Sequence, residues 1–271
     1  MIIVKNGDNM QDNKNTADKS VNENTRVKGE ILEIHGTRDF FDNRTNKALP
    51  HRYNYVNYQD SNPVLALERD AFEKKKISKY FSVKPDTLIL DIGCGVARWG
   101  DYFADYLQSG KYVGVDFSES ILDIAKKQYE GDDRYLFARE SFQNLYNIFD
   151  DESIPKKYDI ILINGVLTYI NDREIDGCLK YIYKIINNGG IIYIKESVGI
   201  NDRLTLNHFF SKEMDSEYSA IYRSVTQYKN VFDEIFLGSE YQYVAQGDMW
   251  EEKLSNRKET SSYFWIIKKN K

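Results

Sequence analysis

The sequence predicts an α/β fold of three layers: a mostly parallel, seven-stranded sheet with helices on both faces. Five short apolar segments, "TLILDIG", "KYVGVDF", "RYLFARE", "YDIILINGV" and "GGIIYIKES", alternate with stretches of helical periodicity. Strands alternating with helices imply right-handed crossovers and a sheet covered on both sides. Two further strand candidates, "EYQYVAQGDMW" and "SSYFWIIKK", close the chain and are expected to pair antiparallel at the sheet edge.

Composition narrows the classes of function. The chain has 271 residues and a formal net charge of -5, so it has no global field to draw in a polyanion, and nucleic acid is a disfavoured partner. Its two cysteines, Cys94 and Cys178, lie in unrelated contexts without metal-ligand spacing. That pattern predicts no metal site, no redox role for Cys94 and a reducing, cytoplasmic setting. Neither a leader nor a membrane-spanning run is expected.

Residues 1–28 are rich in Asn, Asp and Lys and are expected to form a disordered polar tail. Residues 29–61 carry too many Tyr, Asn and Pro for a clean helix or strand and are expected to form a lid facing the substrate. Pro63, at a first-turn position after Asn62, opens a helix that leads into the main domain, residues 62–271. "ARWGDYFADYL", "SESILDIAKKQY", "FQNLYNIF" and "DREIDGCLKYIYKIINN" supply the helical segments between the strands. After the fifth strand, about residues 198–238 show no strand signal and predict a helical cap insert.

The first strand ends in "LDIGCGVARWG", which places backbone N–H groups and a helix start at its carboxyl end. Dinucleotide sites need a third glycine for the pyrophosphate, and that position holds Arg98. Asp91, just before Gly93 and Gly95, adds negative charge where a diphosphate needs none. The stretch resembles the first motif of class I S-adenosylmethionine-dependent methyltransferases, and further motifs follow in order. Asp116 and Phe117 in "VGVDFS", Glu140, Ser141 and Phe142 in "FARESFQNL", and Asn164 and Gly165 in "YDIILINGVLTYI" resemble the later cofactor motifs across residues 62 to 197. The resemblance implies a Rossmann-like fold. It implies that Asp116 accepts from the ribose hydroxyls, Glu140 from the adenine amino group, with Ser141 and Phe142 flanking the ring and Asn164 and Gly165 beside the methionine portion. Asp91 is expected to orient the glycine turn or meet the cofactor's ammonium, and Arg98 or Arg69 to take its carboxylate.

The acceptor is less defined. His208 is the first candidate for a general base, with Tyr58 as a second catalytic candidate; Tyr53, Tyr55, Tyr222, Arg203 and Arg223 are candidates for acceptor contacts. "NGVL" differs from the pattern of enzymes that methylate nucleic-acid bases, so a small-molecule acceptor is expected. The chain is similar to bacterial tailoring methyltransferases acting on sugars, surface-polysaccharide precursors or natural products. That similarity implies methyl transfer to oxygen or nitrogen of a small polar acceptor, phosphorylated and phosphoramidate-type anions included. A nicotinamide-dependent oxidoreductase and a cofactor-binding module without chemistry stay open, as do monomer and homodimer.

Overall fold

The computed structural model describes residue 32, residues 34–236, residue 238 and residues 240–270. The polar tail lies outside the described residues. The main sheet has seven strands in the order β3-β2-β1-β4-β5-β9-β8. Five are parallel: β1 (Leu88–Ile92), β2 (Lys111–Asp116), β3 (Tyr135–Arg139), β4 (Tyr158–Asn164) and β5 (Ile186–Gly199). The closing strands β8 (Tyr241–Asp248) and β9 (Thr260–Lys269) pair antiparallel, as expected. Only β8 is at the edge, because β9 inserts between β8 and β5.

Period-two burial on both faces builds the three layers. Leu90 and Ile92 of β1 point to one side with Val113, Val115, Ile161 and Ile163, where α5 (Asp172–Ile185) and α6 (Val225–Phe236) cover them. Ile89 points to the other side with Tyr112, Ile160 and Leu162, under Trp99 and Phe103 of α3 (Arg98–Phe103) and Ile77 of α2 (Pro63–Ile77). A strand buried on both faces reads as a continuous apolar run, which is why "LILDI" carried so strong a signal. Pro63 occupies the first turn of α2, although Asn62 makes no side-chain cap bond. The crossover helix between β2 and β3, α4 (Glu119–Gln128), is capped by Ser118, whose Oγ accepts from the Ile121 amide.

Two expectations change. The helical insert over 198–238 is replaced by a two-stranded ribbon, β6 (Leu204–Ser211) and β7 (Ser216–Tyr222), followed by α6. A bulge between Leu206 and Phe209 interrupts the period-two alternation and hid the strand signal. α6 is not a cap: Tyr228, Phe232 and Phe236 are buried in the main core, so it belongs to the helical layer of the sheet. The lid, read as lacking a clean helix, begins with α1 (Ile34–Arg44) and carries a 3₁₀ turn at Arg52–Tyr55.

The sheet order reverses at β1: β2 and β3 lie on one side, β4 and β5 on the other. The crevice at the carboxyl ends of β1 and β4 is the natural ligand position in such a sheet.

Candidate functional site

At the end of β1 the Gly93 and Cys94 amides both donate to the Val115 carbonyl, at 2.7 and 3.0 Å, folding the turn back across β2. Gly93 and Gly95 have φ of 67° and 54°, a region in which only glycine is free of strain. A Cβ on Gly93 would stand 2.3 Å from Val166 Cγ2, and one on Gly95 2.6 Å from Val56 Cγ1. The glycines therefore admit both the turn and the close approach of neighbouring segments.

Asp116, at the end of β2, is joined to this turn. Its Oδ2 accepts from the Gly95 amide at 2.9 Å and its Oδ1 from the Ser118 amide at 3.0 Å. Burial pushes the carboxyl up to about 6, against the pull of those amides. Asp91 accepts a short hydrogen bond from the Tyr112 hydroxyl. Burial raises it to about 7, with Tyr112 and Arg98 opposing. After β3, the Glu140 carboxylate accepts from the Ser141 amide at 2.8 Å and from Asn147 Nδ2 at 2.9 Å. At the end of β4, the side-chain oxygen and nitrogen of Asn164 are both buried and have no protein partner. Gly165, with φ of 69°, turns the chain immediately after it.

These groups open into one cavity of about 470 Å³. Asp91, Gly93, Gly95, Arg98, Asp116, Phe117, Glu140, Ser141, Phe142, Asn164 and Gly165 all line it. Its other half is aromatic and cationic, with Tyr58, Tyr169, Tyr218, Tyr222, Trp250, Arg69, Lys195 and Arg257. Three segments close over it: α1 with the lid, the β6–β7 ribbon, and the link between β8 and β9. They are tied together and to the sheet. Asp42 of α1 accepts from Ser118 Oγ at 2.5 Å and Ser120 Oγ at 3.1 Å, Lys47 donates to the Met214 carbonyl, and Arg257 pairs with Glu213 at 2.6 Å.

Several acceptor-side candidates lie elsewhere. His208 is outside the cavity lining; its side chain is 59% exposed beside Glu217, and its φ of 50° places it in the ribbon's bulge. Arg223 is buried but structural, donating to the Leu167 and Ile170 carbonyls and to Asp172. Arg203 joins it on Asp172 at 2.6 Å, so both arginines brace the turn after β4 instead of facing an acceptor. The Tyr53 hydroxyl bonds to Asp101 and that of Tyr55 to the Lys47 carbonyl; both pin the lid from outside the cavity. Tyr58 and Tyr222 do line the cavity, and burial raises both phenols, which keeps them neutral. Arg98 reaches the cavity with its guanidinium committed to Asp70 and Glu73.

Sequence reasoning missed Thr37, Lys195, Trp250 and the link at 255–258. Thr37 Oγ1 is buried on α1 without a protein partner. Lys195 carried a signal, a cation inside the apolar run "IIYIKES". It pairs with Glu73, and burial lowers its pKa.

Residues 90–192, from β1 into β5, match the family model described as a methyltransferase domain. The chain shares the Rossmann-like fold of class I, S-adenosylmethionine-dependent methyltransferases, and its matched segment is similar to their methyltransferase domain. Uncharacterized protein RP028 of Rickettsia prowazekii is 28% identical over 170 residues, covering 59% of this chain and 66% of that protein. Demethylmenaquinone methyltransferase of Bacillus cereus is 35% identical over 74 residues, 27% of this chain and 31% of that one. The chain thus spans less than two thirds of the length of these curated relatives. Among solved structures, phosphoethanolamine N-methyltransferase 1 of Haemonchus contortus superposes with a TM-score of 0.64 at 16% identity, covering 88% of this chain and 50% of that one. That likeness is one of fold. Three carboxylates, Asp91, Asp116 and Glu140, and unpartnered Asn164 can accept from hydroxyl, amino or ammonium groups, while the third glycine of a pyrophosphate loop is absent.

Proposed function

We propose that this protein transfers a methyl group from S-adenosylmethionine to an oxygen or nitrogen of a small polar acceptor. The observation that carries this reading is the single cavity joining the carboxylates of β1 and β2 to an aromatic, cationic half under a three-part cover. A cavity of about 470 Å³ is within the range of small-molecule sites. When bound, S-adenosylmethionine supplies an electrophilic methyl together with its own leaving group. The chain's task is then to align the acceptor and exclude water. Asp116 and Glu140 would hold the nucleoside, Asp91 and Asn164 the methionine end. Tyr58, Tyr169 and Tyr222 would wall the acceptor beside the methyl.

No histidine of the described residues lines the cavity, and the buried tyrosines are held neutral, which makes them weak bases. This supports an acceptor atom that arrives without a proton to remove, such as a neutral amine or an anionic oxygen. Arg98, braced by two acids where a third glycine would stand, speaks against the nicotinamide alternative. The test is incubation of the purified chain with methyl-labelled S-adenosylmethionine and a fractionated small-molecule extract. Label is expected in a low-molecular-weight fraction with stoichiometric S-adenosylhomocysteine; label only in nucleic acid or protein would contradict the reading.

A further inference from the structure

Four cations line the acceptor half of the cavity: Arg69, Lys195, Arg257 and Lys258. Two are answered by carboxylates, Lys195 by Glu73 and Arg257 by Glu213. Arg69 is held differently. Its Nε and Nη2 donate to the Leu254 carbonyl at 2.9 and 2.5 Å, and Nη2 to Asn256 Oδ1 at 2.9 Å, all neutral oxygens. The guanidinium carbon lies 5.5 Å from the centre of the Trp250 ring, and the Lys195 ammonium 5.6 Å from the same ring. Burial, with repulsion from Arg257 and against the pull of Glu213, brings Arg69 down to about 10.

The geometry around Arg69 is also prearranged. Arg69 grips the link between β8 and β9 at Leu254 and Asn256, and Asn256 Nδ2 donates to Gln59 Oε1 of the lid at 2.7 Å. Arg257 and Lys258 follow on that same link, so the grip fixes where they stand. A planar guanidinium held by two of its nitrogens can offer the third to a ligand oxygen.

We propose that the methyl acceptor carries a phosphate- or carboxylate-type anion, and that this group docks on Arg69 beside Arg257 and Lys258 against the Trp250 wall. The proposal rests on the methyltransferase reading of the same cavity. It replaces Arg203 and Arg223, which face Asp172, as the source of anion recognition.

The experiment is a calorimetric titration of the full chain, first with S-adenosylhomocysteine and then, with that ligand saturating, with glycerol, glycerol 3-phosphate and glycerate. At least one anion is expected to bind about tenfold or more tighter than glycerol, in line with a charged hydrogen-bond pair. Arg69→Gln removes that gap, Arg69→Lys restores part of it, and Lys258→Gln narrows it, while the affinity for S-adenosylhomocysteine is unchanged; a matching loss of S-adenosylhomocysteine affinity in Arg69→Gln would assign Arg69 to the cofactor's carboxylate and overturn the proposal. The tighter anion identifies the phosphate or the carboxylate form. Equal binding of the three probes, no measurable binding of either anion, or an intact gap in Arg69→Gln would overturn the proposal. Failure of the first titration strikes instead at the cofactor reading, so the two failures are separable.

Discussion

Asp91 and Asp116 are two buried carboxyls whose protonation and whose ligand are linked. Burial raises them to about 7 and about 6, above the ordinary carboxylate range. Between pH ~4 and ~7 the folded chain therefore binds more protons at these sites than the unfolded chain. Their contribution to stability is present at low pH and is lost as pH rises through the two folded values. A ribose diol and an ammonium prefer the ionised carboxylates, so cofactor binding should release protons near neutrality. Affinity for S-adenosylmethionine is expected to rise severalfold between pH 5.5 and pH 8, with proton release detectable by calorimetry in two buffers of different ionisation enthalpy. Affinity that is flat or falling across that range would contradict it. Asp91, Gly93, Gly95 and Asp116 were legible in the sequence because each is fixed by local chain geometry at a strand end. His208, Arg203 and Arg223 were misread because their partners, Glu217 and Asp172, are set by the ribbon's tertiary position.

The glycine turn and the β6–β7 ribbon behave differently as elements. In the turn, Gly93→Ala combines a strained φ with a Cβ 2.3 Å from Val166 Cγ2. It is expected to cost about 2–4 kcal/mol of stability and to weaken cofactor binding, measured by thermal melting and titration. Val166→Ala on that background should recover only part of the loss, because removing the clash leaves the backbone strain. The ribbon's bulge carries the opposite expectation. His208→Gly relieves a φ of 50° at an exposed position, so stability should hold or rise. Affinity for S-adenosylhomocysteine should stay within about twofold, as at surface sites without special contacts. A large loss of affinity would return His208 to the site. Strands β1, β2, β4 and β5 were readable because burial on both faces leaves largely apolar runs. The ribbon was not, because one extra residue between Leu206 and Phe209 breaks its alternation.

Across the whole molecule, the site is assembled from segments that share no sequence period. Thr37, Arg69, Lys195, Trp250 and Arg257 meet only because the sheet order reverses at β1 and because β9 returns between β5 and β8. No local pattern could announce that convergence, whereas the candidate cofactor residues sit on consecutive strand ends and could be read in order. The same topology makes the cover conditional on its ties: Asp42 to Ser118 and Ser120, Lys47 to Met214, and Arg257 to Glu213. The crevice at β1 and β4 is expected to hold S-adenosylmethionine through the carboxylate at the end of β2. Calorimetric titration of S-adenosylhomocysteine into the wild-type chain and into Asp116→Ala tests it most directly, with folding of the variant checked by circular dichroism. Saturable one-to-one binding to the wild type and at least about tenfold weaker binding to the variant are expected, the loss that follows when a charged hydrogen-bond partner is removed. No binding to the wild type, or equal affinity in a folded Asp116→Ala, would contradict it.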